Sequence, residues 1–361
     1  MADMLEYLKW RGDIRFSQLS VNPVDALIFS TLSYLRFDGI VPEDPYHQVP
    51  LKDAAAAFFS LPDPEKRCRS RRDLDLLRAA AETVRFGSVG LSFYRSVLIP
   101  EEETQFAAVT YFLEDLSAFL AFRGTDSTLV GWKEDFNMTF QEIIPAQRLA
   151  KEYTEQLAAA SNALLRLGGH SKGVNLAVYA AAKCDPAVQA RILEVHNQDG
   201  PGFSKAMMED PGYRKILPII RSYVPQSSVS GMRLEHEEPY IIVRSSQFGI
   251  MQHDPHTWEV LGGNFVLVEE LTADSRFLDR TFKAWLAGMT NEERNAFFDT
   301  VFDLLAAGGA SVTSEIMRPQ NVRAYFKTLQ TDEKMRHVIG SELESLMESA
   351  RAAYLQNKEE K

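Results

Sequence analysis

Gly169-His170-Ser171-Lys172-Gly173 is the stretch on which the reading of this chain turns. It has the form G-x-S-x-G. An apolar run precedes it (Ala163, Leu164, Leu165, Leu167), and a small-residue helical pattern follows from Val174 to Ala182. A strand entering a sharp turn that a helix leaves is the geometry of a nucleophile elbow. Such a turn lifts the Ser171 hydroxyl clear of the sheet. It also points the backbone N–H of Lys172, at the helix N-terminus, toward a developing oxyanion. A Cβ at either flanking glycine would collide with the neighbouring strand or helix. The competing reading is an ordinary glycine-rich strand-to-helix turn.

Outward from this point the pattern alternates between strand and helix over residues 86–274. Short apolar or alternating blocks at Ser92–Leu98, Phe106–Leu113 and Ser117–Phe122 predict consecutive strands. Helical spacing covers Ala146–Ala159, and further strands are expected at 192–196, 219–224 and 240–243, with an edge strand within 261–269. Strand–helix–strand order with apolar strands predicts βαβ units and a largely parallel sheet. Residues 1–85 read as a helical region packed on that core. Asn22-Pro23 starts one helix and Leu51–Phe59 forms another. Residues 275–361 return to helix, with a capping box at Thr290 to Glu293, a stop at Gly308-Gly309 and an amphipathic helix over Asp332–Ala353. Residues 357–361 read as a frayed end.

Composition bounds the function. The chain has 361 residues, 45% hydrophobic and 25% charged, with a net charge of −11. That is enough for a large core, and the overall field repels nucleic acid and anionic lipid. The one basic cluster, Lys66 to Arg72, reads either as a site for an anionic head group or phosphate or as a solvated loop and helix face. Two cysteines, Cys68 and Cys184, make neither a disulfide framework nor a zinc site, so reduced thiols are expected. No signal-peptide pattern and no apolar stretch of bilayer length is visible. A cytoplasmic enzyme without metal or organic cofactor is the expectation, with the oligomeric state open.

A serine nucleophile needs a base, an acid that orients the base, and oxyanion donors. In this kind of sheet the order is Ser, acid, His. Of seven histidines, His253 in Gln252-His253-Asp254-Pro255-His256-Thr257-Trp258 fits the base, with His256 its near rival. His196 lies inside a strand pattern and reads as packed. Asp199, in Asn197-Gln198-Asp199-Gly200, sits where active-site groups of open α/β sheets collect, and reads equally as a turn residue. Phe122-Arg123-Gly124-Thr125-Asp126 ends an earlier strand, and Thr125 is the expected second oxyanion donor beside Lys172. Trp132 reads as the wall of an acyl pocket or as a surface anchor. His170 reads as a packing or hydrogen-bonding residue that also borders the substrate site.

Those segments together resemble the class 3 (fungal-type) lipases. More closely, the chain resembles a bacterial lipase-like domain family of unknown function, through residues 122–136 (FRGTDSTLVGWKEDF), 169–177 (GHSKGVNLA), 199–203 (DGPGF) and 252–258 (QHDPHTW). The resemblance implies an α/β-hydrolase fold with N- and C-terminal helical additions. It also implies Ser171 as nucleophile, His253 as base and Thr125 in the oxyanion hole. Two departures stand out. Val174 replaces a third glycine, and the stretch Val224-Pro225-Gln226-Ser227-Ser228-Val229, where class 3 lipases carry their acid, has no carboxylate. Either Asp199 takes that role or the site is impaired. The expected function is a serine hydrolase of carboxylic esters, lipid acyl esters among them. The alternative is a catalytically silent scaffold that binds a partner through its helical arms.

Overall fold

The computed structural model describes residues 2–228, 230–231 and 234–359. It is a mixed α/β protein built on one large sheet. Among the described residues eleven strands follow in chain order: β1 Val49–Pro50, β2 Gly90–Ile99, β3 Thr104–Phe112, β4 Ser117–Phe122, β5 Leu164–His170, β6 Ile192–Gln198, β7 Ile220–Pro225, β8 Tyr240–Val243, β9 Val260–Leu261, β10 Asn264–Phe265 and β11 Leu267–Val268. Nine of them form the main sheet in the order β1-β2-β3-β4-β5-β6-β7-β8-β11. From β4 to β8 every neighbour is parallel, while β1 on β2, β3 on β4 and β11 on β8 are antiparallel. The expected edge strand within 261–269 breaks into three two-residue pieces. The backbone turns at Gly262, where φ is +63°, and only β11 reaches the main sheet.

Two compact units share the chain. The first comprises Met1–Val97, Phe106–Gly124 and Ala146–Leu271; the second comprises Leu98–Gln105, Thr125–Pro145 and Thr272–Lys361. In the first, the helix Pro23–Leu32 is apolar nearly all round and lies buried against the sheet. Asn22 caps it, and the Asp25 carboxylate returns to the Asn22 N–H, so two otherwise orphaned donors are satisfied. Leu27, Phe29 and Leu32 join Tyr111, Phe119, Ala121, Tyr223 and Trp258 in one continuous core. Asp25 is buried in that core. It accepts from Arg85 at 2.6 and 2.9 Å and from Tyr7 at 2.7 Å.

The second unit has its own aromatic core. Phe136 on the helix Leu129–Asn137 stacks on Phe298 at 4.7 Å and meets Phe302 at 6.1 Å, both on the helix Asn291–Ala307. Lys133 bridges Glu103 and Asp299, each at 2.7 Å. The helix Glu333–Glu359 runs past the expected stop at Ala353 and takes in residues 357–359 of the expected frayed end; four of the six added residues (Leu355, Gln356, Lys358 and Glu359) are good helix formers. Glu360 and Lys361, the last of the expected frayed end, lie outside the described residues. Among the described residues no helix is long and apolar enough to cross a membrane.

Candidate active site

β5 ends at His170, and the helix Lys172–Lys183 starts two residues later. Ser171 makes the whole turn, with φ 59° and ψ −136°. A residue with a side chain held there stores about 1–3 kcal/mol of strain. The surroundings enforce it. A Cβ on Gly173 would stand 2.1 Å from the Phe122 carbonyl oxygen, so the helix start presses directly on β4. Val174, the expected source of crowding, is tolerated for a local reason. Its partner is Gly200, where a Cβ would come within 2.4 Å of the Val174 Cβ. The bulk lost on one side matches the bulk gained on the other.

β5 and β6 run level, with His170 beside Gln198, so Ser171 and Asp199 each follow the end of adjacent strands. The Ser171 N–H donates to the Gln198 carbonyl at 3.1 Å. Asp199 is fully buried and also has a positive φ, 56°. One carboxylate oxygen accepts from His253 Nδ1 at 2.5 Å. The other accepts from the Ser228 hydroxyl and from the Gly231 N–H at 3.1 Å. Asn197 Oδ1 accepts from the Gly200 N–H at 3.1 Å and closes the turn. The stretch without a carboxylate therefore supplies a hydroxyl donor to Asp199; its last member, Val229, lies outside the described residues.

His253 closes a short 3-10 turn, Gly249–His253, and its side chain is 32% exposed. With Nδ1–H donating to Asp199, Nε2 carries the lone pair of the neutral ring. The loop is fastened on several sides. Gln252 accepts from the Ser227 N–H at 2.8 Å and donates to the Gln247 carbonyl at 2.8 Å. Trp258 Nε1 donates to the Gln252 carbonyl at 2.9 Å. Asp254 faces Arg69 at 3.6 Å and Arg72 at 3.4 Å. His256, the rival base, is buried with Nε2 on Asp73 at 2.7 Å. The arginines of the basic cluster thus hold the histidine loop.

His170 is completely buried and borders no open space. Its Nε2–H donates to the His253 carbonyl at 2.7 Å, and its Nδ1 accepts from the Tyr34 hydroxyl at 3.0 Å. Burial, reinforced by His253 and Arg69 nearby, pushes its pKa well below the ordinary histidine value, so the ring is neutral. The two imidazoles lie 4.4 Å apart. The Lys172 side chain is buried, and its backbone N–H opens the helix. Gly124 lies close to the turn: a Cβ there would stand 3.2 Å from the Ser171 Cβ and 2.6 Å from the His170 carbonyl oxygen. Thr125 belongs to the second unit, and its hydroxyl is buried with no hydrogen-bond partner. Trp132, also in that unit, is 44% exposed on the helix Leu129–Asn137. Tyr34, Asp73, Asn197 and Ser228 support the cluster and carry no motif that local spacing reveals.

A family model described as Mbeg1-like matches residues 80–303, more than half of the chain. No curated protein matches the sequence. Among solved structures, the chain is similar to one described as Rhizomucor miehei lipase propeptide complex, native, at 14% identity and a TM-score of 0.33. That likeness covers 44% of this chain and 57% of the other, so the chain spans little more than half of it.

Proposed function

The chain belongs to the Mbeg1-like family, and from that premise and the geometry at Ser171 we propose that it is a lipase-like serine hydrolase of carboxylic esters with an α/β-hydrolase fold. The observation that carries the reading is the His253–Asp199 pair, 2.5 Å apart, next to a serine held at positive φ. In this reading Ser171 Oγ attacks the ester carbonyl carbon while His253 Nε2 takes its proton. Asp199 holds the Nδ1–H tautomer and offsets the imidazolium charge. The Lys172 N–H at the helix start is the proposed oxyanion donor. The proton passes to the departing alcohol, and water then releases the acid from the acyl-serine.

The reasons for a silent scaffold were the missing carboxylate and Val174. The Asp199–His253 bond and the small Gly200 beside Val174 favour the hydrolase reading over it. The resemblance to class 3 lipases and to bacterial relatives belongs to this proposal. So does a cytoplasmic address, which fits two free cysteines, one of them (Cys184) with its thiol pushed up to about 11 by burial. A fluorophosphonate probe tests the reading on the full chain. Wild type is expected to label and Ser171→Ala to stay unlabelled. Label that persists in Ser171→Ala, or never forms on wild type, removes it.

A further inference from the structure

The turn that carries Asp199 is held from outside by a second buried carboxylate. Asn197, buried near the end of β6, commits one side-chain amide to two bonds. Its Oδ1 accepts from the Gly200 N–H at 3.1 Å, and its Nδ2 donates to Glu238 Oε1 at 3.0 Å. Glu238 is itself buried and has two further donors. His236 Nδ1–H donates to Oε1 and the Tyr213 hydroxyl to Oε2, each at 3.0 Å. Burial alone would raise the Glu238 pKa, but His236, helped by Tyr213, more than offsets it, and the carboxyl titrates below its usual value. An ionised carboxylate only accepts, so it fixes the Asn197 amide with its NH2 toward Glu238 and its oxygen toward Gly200. The backbone adds to the clamp. Phe203 and Glu235 exchange N–H···O bonds at 3.0 and 3.1 Å, and a Cβ on Gly202 would strike the Glu235 carbonyl. Asp199 needs such a hold, because its φ of 56° is one that a residue with a side chain seldom adopts.

From this chain of contacts we propose that Glu238 is a positioning residue for Asp199, acting through Asn197. Glu238 sets the amide, the amide closes the Asp199–Gly200 turn, and the turn aims the carboxylate at His253 Nδ1, 2.5 Å away. The bonds of Glu238 go to Asn197, His236 and Tyr213, and its influence on His253 runs through the turn. The acceptor atom matters more than the charge. Glutamine keeps an oxygen in place for Asn197 and can donate its NH2 to the Tyr213 oxygen, whereas leucine leaves the amide without its anchor. The proposal rests on the hydrolase reading for its effect on turnover; its effect on the His253–Asp199 bond stands apart from that reading.

Glu238→Leu, Glu238→Gln and Asn197→Ala test it in the full-length protein. Turnover of a soluble ester is counted per active site labelled to completion with fluorophosphonate, so unfolded protein does not enter. Glu238→Leu is expected to lower kcat about ten- to hundredfold with KM within about twofold of wild type. Glu238→Gln is expected to recover kcat to within about threefold of wild type. Combining Glu238→Leu with Asn197→Ala is expected to cost no more than Asn197→Ala alone, because both act on one amide. Proton NMR reads the geometry without the chemistry. The His253 Nδ1–H signal, far downfield and identified by its loss in His253→Gln, is expected in wild type, Glu238→Gln and Ser171→Ala. In Glu238→Leu and Asn197→Ala it is expected to move upfield or to vanish by exchange. If wild type never labels, the hydrolase reading fails and this signal alone decides whether Glu238 positions Asp199. Three results overturn the proposal: a wild-type kcat per labelled site in Glu238→Leu, losses that add in the double variant, or a His253 signal that is absent from wild type or unchanged by Glu238→Leu. Where Glu238→Leu fails to fold, Asn197→Ala carries both readouts, and a wild-type kcat or an unchanged signal in it overturns the proposal.

Discussion

The ring of His170 and the main chain of His253 are joined by a single 2.7 Å hydrogen bond between residues 83 positions apart. His170 immediately precedes Ser171, so the strand that carries the serine also fixes the loop that carries the imidazole. Because Nε2 must donate, Nδ1 is the acceptor for Tyr34, and one neutral tautomer satisfies both bonds.

That tautomer sets a pH dependence. The folded state keeps His170 neutral well below its ordinary pKa, chiefly through burial, whereas an unfolded chain protonates it below about 6.5. The unfolded state then binds the extra proton, so stability rises with pH up to about 6.5 and this contribution is flat above. Melting temperature measured between about pH 5 and 8 is expected to fall on the acid side. His170→Gln keeps a donor for the His253 carbonyl and cannot titrate, so its acid-side slope is expected to be shallower. Equal slopes in the two proteins contradict this account.

Asp199→Asn replaces a carboxylate with an amide of the same shape. Its NH2 group would face His253 Nδ1 and impose the other tautomer. Turnover of a soluble ester is expected to drop by about four orders of magnitude with the fold retained. Ser228→Ala removes one donor to the buried carboxylate and is expected to cost about 1.5–3 kcal/mol of stability. Calorimetry that finds Ser228→Ala as stable as wild type rules out a contribution from that bond.

The turn at Ser171 predicts a trade between stability and chemistry. Glycine adopts φ 59° without strain, while alanine is strained there as serine is. Relief of about 1–3 kcal/mol, less about 0.5–1 kcal/mol for glycine's greater freedom when unfolded, leaves Ser171→Gly more stable than Ser171→Ala by about 1 kcal/mol. Thermal unfolding of the two variants side by side decides it, and neither is expected to react with the fluorophosphonate.

Asp25→Ala strands the Arg85 guanidinium in a fully buried position. The expected loss is about 3–5 kcal/mol. Carbonyls of Ile14, Leu19 and Ser20 also accept from Arg85, so the cation stays trapped by partners that cannot neutralise it. Pairing Asp25→Ala with Arg85→Met is expected to recover part of the loss; simple additivity in the double variant rejects the coupling.

Where local spacing decides the structure, the sequence is readable. The helix Leu51–Phe59 and the strands at Ser117–Phe122 and 240–243 fall on the expected residues because each is a short periodic block between clear stops. The turn at Ser171 is legible for the same reason, since five consecutive residues specify it. The supports are not. Ser228 reaches Asp199 across 29 positions, Tyr34 reaches His170 across 136, and His256 reaches Asp73 across 183. No periodicity records such pairings. Ser70 likewise caps a helix, Arg71–Ala81, inside what reads as a basic run, because the Asp73 that completes the cap looks like one more charge.

The second compact unit has a consequence for how the protein is made. Phe136 and Leu129 leave the ribosome well before Phe298 and Phe302, the side chains that bury them. At about 5–20 residues per second the delay is on the order of ten seconds. Throughout that interval the nascent polypeptide carries an uncovered aromatic segment within its already translated half. A holdase chaperone acting during synthesis would find its target there, and slowing translation of the final third would lengthen the exposure.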